Sequence, residues 1–514
     1  QTTKSGTKHI LKFILEDWKL LLFLTTVFAL YFYYTSTFDF FKKKGVKYMK
    51  PKIFFGNLAP RFFAKTSFHQ FQLDIYNNFK GERFGGFFEG KRPILYIFDR
   101  ELIKAVTIRD FEYFVDRNRF VSREPGYLSR SLLNLKGSEW KAVRSTITPS
   151  FSASRLKFML PLVDVCSQQM VKFLQQFDKN EVEMKSVLGR FTLEVIGTCA
   201  FGIQSDALED ENAKFIQVAE KFNYMTWYKR LYLFFLLTFM PAFIRYLNIS
   251  FFNHESSNEL MRILKNTKTE RKELNTRKND FLQLLLDAAE KEGENSDSTN
   301  KKRKFLYLDD DTIDAQCFLF LIAGYETSST LLSFATYVLA IKPDLQTKLR
   351  NHIIEVTKDK ELSYELISQL DFLEAFLLET LRMYPPVARV DRCCTKKYTI
   401  PDTNVQVDSG DIVSIPIYAI HMDPKVYPEP HEFKPERFMD KEVKRPSHFL
   451  AFGIGPRNCI GLRFAMFTAK HAMVNLLKNF TFSPCSKTEI PIEFDKRTFL
   501  LKPLNGLWIK IENI

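Results

Sequence analysis

Near the C-terminus the chain carries Phe452-Gly453-Ile454-Gly455-Pro456-Arg457-Asn458-Cys459-Ile460-Gly461. A thiol that ligates a metal must first lose its proton. Free cysteine titrates near about 8.5, so a binding site has to lower that value. The next segment supplies a means. From Gly461 onward, Leu462, Ala465, Met466, Ala469, Ala472, Met473, Leu476 and Leu477 recur at helical spacing. Cys459 therefore stands just before a helix N-terminus, where free N–H groups and the helix dipole favour an anion. Gly455 and Gly461 permit tight backbone geometry and close approach to a flat ligand. Arg457 suits an acidic group on that ligand. Phe452 can cover the sulfur and keep water away. A lone cysteine before a helix is most often a small buried hydrophobe. The full pattern Phe-x-x-Gly-x-Arg-x-Cys-x-Gly weighs against that reading.

Three further constellations could do chemistry. Trp140 and Arg144 lie four apart, on one helix face. By themselves they suit a surface cation–π pair. Ala323-Gly324-Tyr325-Glu326-Thr327-Ser328 sits in the middle of a long predicted helix. That helix opens at Asp309-Asp310-Asp311, whose acids suit a first turn, and runs to about Ile341, where Pro343 stops it. At 1.5 Å per residue it is roughly 50 Å long, enough to cross a large domain. Asp314, Gln316 and Glu326 argue against a membrane span. Ala323 and Gly324 leave room against one face, and Glu326 and Thr327 place a carboxylate and a hydroxyl mid-helix. A mid-helix threonine commonly just bonds its own backbone. Glu379 and Arg382 lie three apart on another helix, an ordinary surface pair by spacing alone. Phe433-Lys434-Pro435-Glu436-Arg437-Phe438 follows.

Together these stretches resemble the haem-thiolate monooxygenases, the cytochrome P450 family. The cysteine loop matches that family's ligand loop in full, and four motifs occur in its order and spacing. The resemblance implies a mainly α fold with a small β region, a single large haem domain after an N-terminal transmembrane anchor. It implies Cys459 as the axial ligand of haem b, with Arg119, Trp140, Arg144, Arg392, Phe452, Arg457 and Gly461 as further cofactor contacts. Arg389 lies where haem or substrate contacts are expected, and His421 reads as structural, near a haem carboxylate. It implies a groove for dioxygen at Ala323 and Gly324, and a proton relay through Glu326 and Thr327. Glu379, Arg382 and Arg437 are expected to form a buried triad. By position, Leu133, Leu319, Ile322, Ala323, Val387 and Phe499 are expected to line an apolar substrate pocket. The implied activity is insertion of one oxygen atom from O2 into lipophilic small molecules such as xenobiotics, steroids or other lipids. Electrons would come from an NADPH-cytochrome P450 reductase, which carries the NADPH and flavins, with cytochrome b5 as a further partner. Cys199-Ala200-Phe201-Gly202-Ile203 and Pro149-Ser150-Phe151 are most similar to the animal xenobiotic- and steroid-oxidising clan, with a layout like arthropod detoxification members. Two other readings stay open: a haem-thiolate isomerase or dehydratase, which would need no relay at Glu326 and Thr327, and a non-catalytic haem binder.

Elements must position these residues, and composition bounds them. The chain has 514 residues, and length alone suggests about three domains. Motifs spread from Trp140 to Cys459 and serving one cofactor argue instead for one large domain. The apolar, aromatic stretch 20–41 is long enough to span a bilayer. Lysines 42, 43, 44, 47, 50 and 52 follow it and outweigh lysines 4, 8 and 12, so the body is expected to face the cytosol. The expected layout is a tail over 1–19, the anchor over 20–41, a basic linker over 42–60 and the haem domain over 61–514, in the endoplasmic reticulum membrane. A second apolar stretch, 226–252, is too short to span and suits either core packing or a membrane-dipping loop. Net charge is +14. No finger spacing or arginine-rich arm marks a nucleic-acid binder, so a membrane surface or an acidic partner is the better fit. Seven scattered cysteines show no paired framework or zinc spacing, which points to a reducing compartment. The 89–93 stretch, flanked by apolar runs, predicts a β-hairpin.

Overall fold

The computed structural model describes residues 3–118, 126–203, 208, 214–222, 232, 236, 253–274, 276–278, 280–297, 308–358, 360–440 and 446–514. The longer helices among them are α1 (Thr3–Thr35), α2 (Phe68–Asn78), α3 (Gly137–Ile147), α4 (Ala153–Gln175), α5 (Met184–Phe201) and α6 (Lys214–Phe222). They continue with α7 (His254–Glu273), α8 (Phe281–Asp297), α9 (Asp310–Ile341), α10 (Pro343–Thr357), α11 (Asp371–Met383) and α12 (Leu462–Asn479). The strands that matter here are β1 (Phe84–Glu89), β2 (Arg92–Ile97), β3 (Glu181–Glu183), β4 (Val390–Cys393), β5 (Ile412–Ile415), β6 (Phe480–Ser483) and β7 (Trp508–Asn513).

The long helix α9 is the axis of the molecule. The Asp309 carboxylate accepts the Thr312 N–H at 2.9 Å and caps it, and Asp310 and Asp311 complement the dipole in its first turn. α9 packs along α5 and also meets α11 and α12. Most of it is buried among these helices, so this is a core helix. α12 begins one residue after Gly461. It is pinned to α4 through His471, whose Nδ1 lies 2.9 Å from Ser167 Oγ.

A four-stranded sheet, in the order β1-β2-β5-β4, stands beside the helices. β1 and β2 form the predicted hairpin, closed by Gly90 and Lys91, with Gly90 at φ +59°. β2 runs parallel to β5, and β5 antiparallel to β4. A second sheet, β3-β7-β6, ties the C-terminus to the start of α5.

The N-terminal layout differs from the sequence expectation. α1 takes in residues expected as a polar tail, and the segment expected as a basic linker is folded into the domain. Phe41 (2% exposed) and Val46 (4%) enter a core with Phe88, Leu95 and Val413. Tyr48 bridges Gly86 at the sheet edge. Lys44 pairs with Asp408 at 2.8 Å and Asp411 at 3.2 Å. The other lysines of this stretch face solvent, so a basic composition conceals two inward anchors. Upstream, residues 18–33 of α1 are exposed and apolar, a helix of membrane-crossing length and composition. Apart from Tyr232 and Leu236, the 226–252 stretch lies outside the described residues.

Candidate active site

The Cys459 loop is shaped by its glycines. Gly453 and Gly455 adopt φ +65° and +76°, in the left-handed region. A Cβ on Gly455 would stand 1.9 Å from the Thr107 carbonyl oxygen, so only glycine lets the loop dock there. The Cys459 N–H donates to the Phe452 carbonyl at 2.8 Å, and Asn458 N–H to Gly455 at 3.0 Å. The Phe452 ring is partly buried beside Phe449, with centroids 6.5 Å apart. Arg457 is 3% exposed and donates to the carbonyls of Val115 (2.9 Å), Leu132 (3.2 Å) and Leu135 (2.8 Å). Its guanidinium also lies over the Trp140 ring at 4.0 Å.

Cys459 is open to solvent by surface area, yet protein atoms crowd its thiol. Burial pushes the thiol's pKa up, and the Gly461 N–H, Arg144 and Arg117 pull the other way without offsetting it. The helix start and the two guanidiniums thus favour the thiolate against that burial. A metal ion bound here would take the proton's place, coupling deprotonation to ligation.

Four guanidiniums surround this loop. Arg144 on α3 donates to the Asn458 carbonyl and the Asn458 side-chain oxygen, each at 2.9 Å. It thus grips the loop residue next to the sulfur. Arg117 donates to the Arg457 carbonyl at 3.0 Å. Burial, followed by repulsion from Arg117, depresses Arg392 and Arg457 to about 9. Asp116 and Asp391 are the carboxylates among them, with Asp116 3.9 Å from Arg457. The Nε atoms of Arg117 and Arg392 are buried and make no hydrogen bond to protein. An excess of buried cations with unsatisfied donors fits a ligand bearing carboxylates, as a haem does. Arg389 is different. It is held by Glu89 at 2.6 Å, Asp391 at 3.1 Å and the Tyr96 hydroxyl at 2.9 Å, so its charge is met within the protein. Arg119 lies outside the described residues, and Arg117 is the guanidinium seen on the loop.

The middle of α9 presents a gap in its own burial. Thr312–Phe318 and Ser329–Ala340 are buried, whereas 322–328 are not, and Ala323 is exposed. Thr327 Oγ1 donates to the Ala323 carbonyl at 2.6 Å. Glu326 turns toward α5, where Lys185 Nζ lies 3.2 Å from its carboxylate. Gly324 also faces α5. A Cβ there would meet Ile196 Cδ1 at 2.5 Å. Ala323 and Gly324 are therefore not one groove: the first lies on the open face, and the second makes room for a neighbouring helix.

A solvent-open cysteine on a loop flanked by four guanidiniums and an interrupted core helix are the two parts a haem-thiolate site needs. The comparisons agree. Residues 47–509 match the family described as Cytochrome P450. The chain belongs to the cytochrome P450 family. It is 38% identical to cytochrome P450 9e2 of Blattella germanica, covering 93% of this chain and 94% of the relative. It is 35% identical to cytochrome P450 6k1 of the same insect, covering 95% of each. Probable cytochrome P450 6a18 of Drosophila melanogaster is 35% identical, covering 92% of this chain and 95% of the relative. The protein is a haem-thiolate monooxygenase with a membrane-anchoring N-terminal helix.

In this cytochrome P450 the structure brings Glu379, Arg382 and Arg437 together. Arg382 Nε and Nη2 donate to the Glu379 carboxylate at 2.7 and 2.9 Å, and both side chains are 0% exposed. Arg437 Nε lies 3.3 Å from the same carboxylate, and the Lys434 N–H donates to it at 2.9 Å. Arg382 Nη1 donates to the His421 carbonyl at 2.9 Å. His421 in turn accepts the Leu450 N–H on Nε2 at 2.9 Å, and its Nδ1 faces the Arg382 carbonyl at 3.1 Å. It is a strut between α11 and the approach to the cysteine loop, with the proton on Nδ1 assigned from these partners. His421, Asn458 and Arg117 carry no short-range spacing that marks them.

The expected pocket residues of this cytochrome P450 divide. Leu319 and Ile322 are partly buried on α9, Leu133 is 37% exposed, and Val387 is half-buried. Phe499 is 64% exposed, with its ring on Phe68 at 5.4 Å. Leu500, not Phe499, bridges Val387.

Proposed function

We propose that this cytochrome P450 is an endoplasmic reticulum enzyme, with its catalytic domain toward the cytosol, that oxidises lipophilic compounds with electrons from an NADPH-cytochrome P450 reductase. Cytochrome b5 is a second donor in this reading. The loop around Cys459 carries it: a thiol open to a ligand, backed by four guanidiniums whose buried donors are not all used. Cys459 would hold the haem iron, and Arg117, Arg144, Arg392 and Arg457, with Trp140, would stand on the side of its carboxylates. With haem bound, Phe452 would cover the sulfur, and Gly461 lets α12 begin beside it. When bound, the haem supplies activation of dioxygen and insertion of one oxygen atom into the substrate. Ala323 keeps the open face of α9 narrow in side chain, leaving space for oxygen. The Thr327 hydroxyl, resting on the Ala323 carbonyl, is placed to hand on a proton at that face. The Glu326 carboxylate stands behind it, beside Lys185. The buried triad of Glu379, Arg382 and Arg437 keeps α11 and the segment before the cysteine loop in register. Leu133, Leu319, Ile322 and Val387 give the substrate an apolar environment.

The test is spectroscopic and catalytic together. The purified protein is expected to show the red-shifted Soret band of a reduced carbon monoxide complex, and Cys459→Ala to lose it. With reductase and NADPH, the wild-type protein is expected to oxygenate members of a lipophilic panel chosen by substrate-induced spin shifts. Retention of the band in Cys459→Ala overturns the ligand assignment. Haem binding without turnover of any panel member favours a carrier or sensor instead.

A further inference from the structure

Lys185 opens α5 with its side chain only 14% exposed. Lysine is rarely this hidden without a partner, because removing an ammonium from water is costly. Here burial lowers its pKa, and Glu326 is the main group restoring it. Nζ lies 3.2 Å from the Glu326 carboxylate and donates to the Glu326 carbonyl (3.3 Å), Ser329 Oγ (2.8 Å) and Thr330 Oγ1 (2.7 Å). Both hydroxyls bond that same carbonyl, at 3.1 and 2.8 Å. One residue earlier, Thr192 Oγ1 of α5 reaches the Tyr325 carbonyl at 3.2 Å. α5 therefore fastens onto two successive carbonyls of α9, directly behind its open face. Glu183 adds a smaller attraction to the ammonium than Glu326 does. Its carboxylate is taken by the N–H groups of Lys185 (3.3 Å), Ser186 (2.7 Å) and Leu507 (2.7 Å). Lys502 adds only like charge.

We propose that Lys185 is a positioning residue for Glu326, an inference that rests on the reading of Glu326 as the proton-handling carboxylate. The nearby ammonium, 3.2 Å away, holds the carboxylate turned toward α5. Adjacent helix residues point about 100° apart, so Thr327 faces the site while Glu326 waits behind it. Lys185 thus sets the resting place of the group that supplies Thr327. A purely structural ammonium would hold the helices together equally well with Glu326 neutralised.

The experiment uses the full-length haem-loaded enzyme with reductase and NADPH. It reads NADPH consumption and hydrogen peroxide release in H2O and in D2O for Lys185→Met, Lys185→Arg, Glu326→Gln and the Met–Gln double variant. Glu326→Gln is expected to slow consumption about tenfold or more and to enlarge the solvent isotope effect. Lys185→Met is expected to move the isotope effect in the same direction and Lys185→Arg to restore it. The double variant is expected to match Glu326→Gln, since two residues acting as a unit are not additive. The carbon monoxide spectrum should be intact throughout. If Lys185→Met fails to retain haem, Lys185→Gln, which keeps hydrogen bonds but no charge, makes the same comparison. An unchanged isotope effect in the Lys185 variant beside a changed one in Glu326→Gln overturns the proposal, as does a Lys185→Arg no better than the neutral variant. If Glu326→Gln itself changes neither rate nor isotope effect, the underlying reading of Glu326 fails and the role of Lys185 with it.

Discussion

Burial holds two histidines of this cytochrome P450 neutral. His69 is 2% exposed, and its Nε2 lies 2.7 Å from the Pro385 carbonyl. Burial, then the Arg61 charge, pushes its pKa down to about 4. His421 is pushed to about 3 by burial and Arg382. In the unfolded chain both titrate near 6.5. The unfolded state therefore takes up two protons that the native state refuses. Stability from this source is complete above about pH 6.5 and is lost as pH falls toward 4, at about 2.7 kcal/mol per pH unit for the pair. The urea midpoint should drop over that window. In His421→Gln or His69→Gln the histidine-dependent slope should fall by about half. A midpoint with the same pH slope in the variants as in the wild type would mean these imidazoles titrate freely in the fold.

At the scale of elements, the contact between α5 and α9 decides what the middle of α9 can do. Gly324 is where the two helices approach, because Ile196 Cδ1 fills the space its side chain would need. Alanine is the better helix former by about 1 kcal/mol, but overpacking a full core costs about 1–3 kcal/mol. Gly324→Ala should therefore lose about 1 kcal/mol. Combined with Ile196→Val, which removes the offending methyl, the loss should disappear into a coupling of about 1 kcal/mol. Thermal unfolding of the four proteins in the cycle measures it. Simple additivity would show that Gly324 is needed on the open face instead. The same contact carries Lys185 to Glu326, so one helix pair both closes the back of the site and arms it.

For the whole molecule, the question is where the anchor ends and the domain begins. Tyr34 (3% exposed) meets Phe54 edge-on with centroids 4.8 Å apart, and Phe41 and Val46 are core residues. Deleting residues 1–32 should release the exposed part of α1 and leave a folded haem protein. Deleting 1–46 should remove core. Loss of Phe41 alone is worth about 3–5 kcal/mol, and Phe88 would be uncovered as well. Yield of the carbon monoxide band and the unfolding midpoint compare the two. Equal stability would show that 33–46 only tethers the domain.

The sequence by itself determined those features that depend on neighbours along the chain. The glycine spacing around Cys459, the helix after it, the acidic cap of α9 and the pairing of Glu379 with Arg382 all lie within one turn or loop, where spacing dictates geometry. The family's order of motifs carried the rest of the chemistry. Tertiary structure alone decided which distant groups meet. Arg144 reaches Asn458 across 314 residues, and Arg457 stacks on Trp140; neither pair has any local signal. Backbone pairing put Leu500, and not Phe499, opposite Val387, and no local spacing marks that choice. Lysine density hid Val46, and apolar continuity put Phe41 with the anchor, because composition averages over side chains that point in opposite directions. The space beside Gly324 was legible as space, but Ile196 is the residue that fills it, and only the packing of α5 could say so.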